Sequence, residues 1–114
     1  MSKYFSTYRL NGQHKFFSDE VIDVLGYSSR ELVNKFAYDY YHIDDIKRIS
    51  KSHIYIFKNC KITSSTYRMR HKNGKYIWVR SYSQNTGKDI ISITYKLNKL
   101  EIFLFKIKRI FMDN

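Results

Sequence analysis

Few residues of this chain have types and spacings that could support catalysis. Asp44 and Asp45 are adjacent, and neighbouring positions on a helix diverge by about 100°, so the two carboxylates cannot face each other as an acid and a base. The sequence contains no Ser-His-Asp arrangement, no glycine-rich phosphate loop and no His-Glu-x-x-His metal motif. We therefore expect no enzymatic activity, and we interpret the two aspartates as first-turn charges of a helix, where the helix dipole favours them.

The histidines and the cysteine also give little support for a cofactor, a metal site or a disulfide. Haem bound through an axial histidine would have to use His42 or His53, the only central histidines, and His42 is better explained as a helix cap. Cys60 is the single cysteine, which excludes an intrachain disulfide and a cysteine-based zinc site and suits a reducing compartment. We expect no cofactor and no metal.

The charge of the chain is large and unevenly placed. The 114 residues, enough for one compact domain, carry a formal net charge of +11. Residues 1–57 hold 8 Lys/Arg against 7 Asp/Glu, whereas residues 58–114 hold 13 against 3. This asymmetry indicates an anionic partner or an acidic protein face, with solubilising lysine as the plainer explanation. No stretch approaches the length of a membrane-spanning helix.

Hydrophobic periodicity and turn signals predict the order of the elements. Two strands, residues 3–10 and 14–17, flank an Asn11-Gly12 turn. Short helices follow at residues 19–25 and from a capping box at 28–31, with one helical turn at 37–41 and a longer helix over 42–59. Strands at 62–71, 76–82 and 90–95 complete the order. We predict an α+β fold in residues 1–96, a five-stranded antiparallel sheet with short helices packed on one face.

Strand alternation divides the side chains of the second hairpin between the two faces of the sheet. Tyr67 and Met69 share the face of Ile77, Val79 and Ser81, which suits a core beneath the helices. The opposite face is predicted to be an exposed, basic and aromatic surface formed by Arg68, Arg70, Tyr76, Trp78, Arg80 and Tyr82.

Three motifs in this order resemble those of PAS domains over residues 4–95. They are LGYSSREL at 25–32, YDYYHIDD at 38–45, and YRM at 67–69 followed by GKYIWV at 74–79. The opening FSTYRL at 5–10 is similar to the second PAS repeat (PAS-B) of animal bHLH-PAS transcription factors of the Clock and hypoxia-inducible-factor alpha type. The chain departs from that group at Tyr8, where the group has histidine, at Val21, where an arginine is missing, and in a shortened last hairpin.

This resemblance implies a sensor or protein-interaction domain of a nuclear, or alternatively cytoplasmic, transcription regulator. The outer sheet face would bind another PAS domain in a heterodimer, with Arg and aromatic side chains as anchors. A small-molecule sensor domain of a signalling kinase or cyclase is the alternative. Nucleic-acid binding by the basic, aromatic face is disfavoured, because the element order is not that of an RNA-binding sheet. The cysteine of light-sensing PAS domains lies in a different motif from Cys60.

The resemblance also implies a small apolar cavity between the sheet and the long helix, which could bind a small apolar ligand. Its candidate lining residues are Tyr41, Ile49, His53, Tyr67, Met69, Val79 and Ser81. The alternative is that these side chains fill the core and that His53 hydrogen-bonds a tyrosine hydroxyl.

Residues 97–114 form a separate tail of unknown role. Its apolar residues recur at helical spacing with lysines and an arginine roughly opposite. Such an amphipathic basic helix could pack on the sheet, join a neighbouring chain or touch an anionic membrane, and packing on the sheet is the default expectation.

Overall fold

A computed structural model describes residues 2–112, and its centre is one five-stranded antiparallel sheet. The strands are β1 (Lys3–Tyr8), β2 (His14–Phe17), β3 (Thr63–Arg70), β4 (Tyr76–Asn85) and β5 (Ile90–Lys96). Their order in the sheet is β2-β1-β5-β4-β3, so the first and last strands in sequence pair at the centre. This arrangement confirms the predicted fold class.

Four helices and two 3₁₀ turns complete the fold. The helices are α1 (Val21–Leu25), α2 (Ser29–Leu32), α3 (Ile46–Lys58) and α4 (Lys99–Met112), and the 3₁₀ turns cover Ala37–Asp39 and Ile43–Asp45. The helix α1 ends at Gly26, whose φ of 78° is a left-handed conformation that glycine adopts without strain. The capping-box prediction is confirmed, because the Ser28 amide donates to Glu31 Oε2 at 2.8 Å.

The core lies between the sheet and helices α1 to α3. Tyr4, Val21, Leu25 and Leu32 are fully buried there, and Val79 of the central hairpin meets them from the sheet. On α3, Ile49 and Ile56 are buried, whereas Phe57 is exposed.

The shortened last hairpin pairs along its whole length. Strands β4 and β5 are in register from Val79 opposite Lys96 to Asn85 opposite Ile90. The turn between them is closed by the Thr86 amide, which donates to the Asp89 carbonyl at 2.9 Å. The shorter interval in the sequence therefore still allows the last two strands to pair.

The predicted tail helix is present as α4 and is well capped. The Asn98 amide donates to Glu101 Oε1 at 3.0 Å, and the Glu101 amide donates to Asn98 Oδ1 at 2.8 Å. None of its described residues is buried. Residues 113 and 114 of the predicted tail lie outside the described residues. Within residues 2–112, no helix is long and apolar enough to cross a membrane.

Candidate interaction surface and cavity

The inner sheet face carries the residues predicted to line a cavity. Tyr67, Met69, Val79 and Ser81 are buried, as the strand alternation predicts, and Tyr41 and Ile49 are buried beside them. A chain of hydroxyl groups crosses this face: Tyr67 Oη lies 2.5 Å from Ser81 Oγ, which lies 2.7 Å from Thr94 Oγ1. These bonds satisfy polar groups that are otherwise costly to bury.

The space between this face and α3 is small. The pocket that Tyr41, Ile49, His53, Tyr67 and Ser81 border measures about 20 Å³, which is room for one water molecule. Met69 and Val79 do not border this pocket. The Met69 sulfur instead accepts a hydrogen bond from the Tyr4 hydroxyl at 3.6 Å. These side chains occupy most of the space between the sheet and α3.

His53 lies at a larger pocket on the outside of the core. Its Nδ1 is 2.8 Å from the Tyr38 hydroxyl, which is the tyrosine bond anticipated for it. The pocket, about 220 Å³, lies between α3 and the β1–β2 turn and is bordered by Leu10, Ile54 and Phe57 as well. Burial lowers the pKa of His53, so a neutral imidazole faces this mostly apolar space.

On the outer face the predicted interface residues lie on β3 and β4, but most of them already have intramolecular partners. Tyr76 and Tyr82 are exposed, whereas Arg68, Arg70, Trp78 and Arg80 are half-buried. The prediction of a uniformly exposed basic and aromatic surface is therefore corrected. The covering groups are Asp45, Tyr40, Thr66 and the helix α4.

Arg68 is held by Asp45, whose role the sequence did not predict. Arg68 Nε and Nη2 donate to Asp45 Oδ2 and Oδ1 at 3.0 and 2.8 Å, and the Arg68 amide donates to Oδ2 at 2.8 Å. Asp45 is fully buried, while Asp44 is largely exposed. Both aspartates lie in the first turn of the 3₁₀ helix Ile43–Asp45, as predicted, but Asp45 also forms this buried ion pair.

The other two arginines of this set also contact their own domain. The Arg70 guanidinium lies 5.2 Å from the centre of the Tyr40 ring. Arg80 Nε donates to Thr66 Oγ1 at 2.9 Å across the β3–β4 pair. Each arginine therefore extends along the sheet surface and presents only part of its guanidinium to a partner.

Trp78 is covered by the helix α4. Its ring centre is 5.4 Å from that of Phe105, and the Arg68 guanidinium stacks on the same indole at 4.7 Å. The default expectation that the tail helix packs on the sheet is thus confirmed at one contact. The opposite side of α4 stays open, and Leu100, Phe103 and Ile110 there are each more than half exposed.

The sequence analysis predicted only the basic and aromatic half of the outer face, and the structure shows that the other half is apolar. Phe5 of β1, Phe16 of β2 and Ile91 of β5 are each about 45% exposed, and they border a groove of about 390 Å³ together with Ile93 and Tyr82. The signal was present in the alternation of β1 and β5, because Phe5 and Ile93 are direct cross-strand neighbours. Exposed apolar patches of this kind mark interaction sites.

Comparison with known proteins agrees with this geometry. The chain is 31% identical over 81 residues to the aryl hydrocarbon receptor nuclear translocator homolog of Drosophila melanogaster, covering 70% of this chain and 13% of that protein. It is 30% identical over 78 residues to hypoxia-inducible factor 1-alpha of Gallus gallus, covering 68% of this chain and 10% of that protein. The chain thus spans about one tenth of the length of these relatives.

Solved structures show the same fold. The PAS-B domain of Drosophila melanogaster Cycle, with bound ethylene glycol, superposes with a TM-score of 0.72 at 23% identity, covering 82% of this chain and 97% of that domain. A single-substitution variant of the same domain, with bound glycerol, gives a TM-score of 0.71, covering 81% of this chain and 95% of that one. The resemblance to PAS-B domains is therefore confirmed. Residues 14–93 match the sequence family described as PAS fold. The chain therefore belongs to the PAS fold family.

Proposed function

We propose that this chain is a non-catalytic interaction domain of a bHLH-PAS-type transcription regulator, acting in the nucleus or in transit through the cytoplasm. Its role is to bind a second PAS domain through the outer face of the sheet. The relatives named above support the class of regulator, and the composition of the outer face supports the mode of binding.

The observation that carries this proposal is the uncovered apolar half of the outer face. Phe5, Phe16 and Ile91 expose large apolar side chains on three neighbouring strands. Tyr82 borders both this groove and a cleft of about 660 Å³ between α4 and the sheet, which Arg80 also borders. The apolar half therefore continues into the half that carries Arg80. An apolar centre with aromatic and arginine residues at its margin is the composition of a protein–protein interface.

The proposal is tested by mapping the surface that a PAS domain contacts. We would label this chain with ¹⁵N, add unlabelled Cycle PAS-B, and in a second experiment raise the concentration of this chain alone. The amide signals of Phe5, Ile91 and Ile93 should shift, and those of α1 should not. Shifts confined to the helical side, or no association in either experiment, would contradict the proposal.

The pocket beside His53 supports a second candidate function, the binding of a small polar molecule. The Tyr38 hydroxyl and the His53 imidazole provide hydrogen-bonding groups at its wall, and Ser50 Oγ lies 3.5 Å from the same hydroxyl. Its volume of about 220 Å³ is below that of pockets for drug-sized ligands and suits a molecule of the size of the glycerol bound in the Cycle domain.

This second candidate, which a sensor domain of a kinase or cyclase would share, is tested by thermal denaturation with glycerol and with ethylene glycol at millimolar concentration. A saturable rise in Tm that is lost in His53→Phe, with His71→Phe as the control histidine variant, supports it. A linear rise that is equal in all three proteins is the general effect of a co-solvent and overturns it.

A further inference from the structure

The helix α4 carries an apolar sector that faces away from the sheet. Successive residues of a helix differ by about 100° in direction, and five large apolar residues of α4 fall within a sector about 100° wide: Leu100, Phe103, Leu104, Ile107 and Phe111. Leu100, Phe103 and Leu104 are 54–63% exposed, and Phe111 is 79% exposed. A contiguous exposed apolar surface of this kind marks a protein or membrane interaction site.

The side of α4 that contacts the domain is a different one, centred on Phe105. The Phe105 ring lies 5.4 Å from the Trp78 ring, and the guanidinium groups of Arg48 and Arg109 lie 5.4 and 5.7 Å from its centre. Phe105 and Ile107 point about 160° apart on the helix. Docking through Phe105 therefore turns the apolar sector outward, as a convex ridge on the surface of the domain.

Exposed lysines lie on both margins of this sector. Lys99 and Lys106 fall on one margin and Lys108 falls on the other, and all three are exposed. Residues 99–112 include four cationic residues and one acidic residue, Glu101. Lysine stems can extend along an apolar surface while their ammonium groups reach a plane of negative charge. An apolar sector between cationic margins is typical of a helix that lies in a membrane interface.

Two other occupants fit this surface less well. A second copy of this chain would bring lysines against lysines, in a protein whose formal net charge is already +11. A partner helix in a coiled coil contacts a narrow seam of two positions in each heptad, whereas Leu104 and Phe111 widen this sector by a third position. Such a seam also continues over about three to four heptads, and residues 100–111 cover less than two.

We propose that α4 binds the surface of an anionic phospholipid membrane. The apolar sector enters the boundary between headgroups and acyl chains to a depth of about 5–10 Å, and Lys99, Lys106 and Lys108 contact the anionic headgroups. The helix lies in the plane of the membrane, since no helix within residues 2–112 is long and apolar enough to cross it. This contact does not use the groove that Phe5 borders, so it is separate from the PAS interaction.

Co-sedimentation of the full chain with lipid vesicles tests the proposal. Vesicles of phosphatidylcholine alone and of phosphatidylcholine with about 30% phosphatidylserine would be compared in about 150 mM NaCl, where attraction between distant charges is screened. We expect the wild-type protein to bind the anionic vesicles at least about tenfold more tightly than the neutral ones, because each lysine near the surface adds to the attraction.

A pair of double variants tests the apolar sector. Phe103→Ser/Phe111→Ser should weaken binding to the anionic vesicles at least about tenfold, because two rings no longer enter the lipid. The control Phe36→Ser/Ile43→Ser removes apolar side chains that are 44% and 79% exposed elsewhere on the domain. It should change the binding by less than about twofold, and circular dichroism should show all variants folded.

A second pair tests the lysines. Lys99→Gln/Lys106→Gln should weaken binding to the anionic vesicles at least about fivefold and leave binding to the neutral vesicles unchanged. Lys75→Gln/Lys88→Gln removes the same charge from exposed positions in the two hairpin turns that precede and follow β4, and should weaken the binding by less than about twofold.

Four results would overturn the assignment. Equal weakening in a variant and its control would mean diffuse attraction of a basic protein, and no binding of the wild-type protein to anionic vesicles would remove the site. Self-association that Phe103→Ser/Phe111→Ser abolishes, without vesicle binding, would assign the sector to a second copy. Binding of an amphipathic peptide with leucines on one face and glutamates on the other, in place of vesicles, would assign it to a partner helix.

The proposal and the PAS interaction can fail independently. Phe5→Ser alters the apolar groove of the sheet and leaves α4 unchanged, so vesicle binding should stay within about twofold of the wild-type value. A loss of vesicle binding in Phe5→Ser equal to that in Phe103→Ser/Phe111→Ser would place the membrane contact on the sheet face and contradict its assignment to α4.

Discussion

At the residue scale, the Asp45 carboxylate joins three parts of the fold. It is the last residue of a 3₁₀ turn, accepts hydrogen bonds from the backbone and the side chain of Arg68 on β3, and pairs with Arg48 on α3. Burial raises the pKa of this carboxyl, but the hydrogen bonds and positive charge of Arg68 and Arg48 outweigh burial and hold it below its usual value. Its contribution to stability is therefore present above about pH 4 and is lost as the pH falls through the lowered pKa.

Asp45→Asn is the substitution that tests this contact. It leaves two guanidinium groups without their counter-charge in a largely buried place, so we expect the free energy of unfolding to fall by roughly 2–4 kcal/mol. Asp44→Asn, the same change at the exposed neighbour, should alter it by less than about 0.5 kcal/mol. Urea denaturation at pH 7 measures both, and equal effects of the two variants would show that the Asp45 contacts do not contribute to stability.

A second residue-scale prediction concerns His14, which is fully buried between Phe17 and Tyr40. Its Nδ1–H donates to the Leu32 carbonyl at 3.0 Å, and its Nε2 has no partner. Burial lowers the pKa of His14 to about 4, against smaller opposing effects from Leu32 and Asp39. The unfolded chain therefore takes up this proton first, and stability should be full above about pH 6.5 and decrease between about pH 6.5 and 4.

The NMR titration of the His14 ring protons measures this pKa directly. We expect the His14 imidazole to stay unprotonated in the folded protein above about pH 5. Denaturation across the same range should show a pH slope that His14→Gln reduces. A His14 midpoint near the ordinary value of histidine would mean that water reaches the imidazole.

At the element scale, α4 is attached to the sheet by the contact of Phe105 with Trp78. Trp78 is the single tryptophan of the chain, so its fluorescence reports this contact. Phe105→Ala should shift the emission to longer wavelength, because it exposes the indole, and should cost about 0.5–1.5 kcal/mol. Phe103→Ala, a change at an exposed position of the same helix, should leave the emission unchanged. An unaltered spectrum in Phe105→Ala would show that α4 is not docked in solution.

The edge strand β3 explains why a partner would use the face of the sheet. Its outward backbone groups between Thr66 and Arg70 are already bonded: Tyr40 and His42 pair with it, and Asp45 and Arg48 complete the row. An edge covered in this way is protected against strand addition. The outer face of the sheet, where Phe5 and Ile91 are exposed, is not covered in this way and stays accessible to a partner.

Local patterns predicted the elements because their causes are local. Alternation assigned Tyr67, Met69 and Val79 to the core, since successive side chains of a strand point to opposite faces, and Gly26 ended α1 because it adopts a positive φ. The partner of Arg68 could not be predicted in this way. Asp45 lies 23 residues away, and no periodicity connects a 3₁₀ turn with a strand.

At the scale of the whole molecule, the sequence predicted which residues surround the core but not how much space they leave. The pocket of about 20 Å³ depends on side-chain packing between Tyr41 and Tyr67, whose ring centres are 5.2 Å apart. The charge excess of residues 58–114 was visible in the composition. Where these charges lie on the fold was not, because helical amphipathicity shows that α4 has an apolar side but does not show where the helix docks.

The most direct test of the account is whether a charge on the apolar half of the outer face prevents PAS–PAS association. Ile91→Glu places the charge on that face, and Ile22→Glu places the same charge on α1, where the isoleucine is equally exposed. Sedimentation velocity, of each protein alone and with Cycle PAS-B, measures the association. We predict that Ile91→Glu weakens it at least about tenfold while Ile22→Glu leaves it unchanged and both remain folded. Equal association of the two variants would contradict the account.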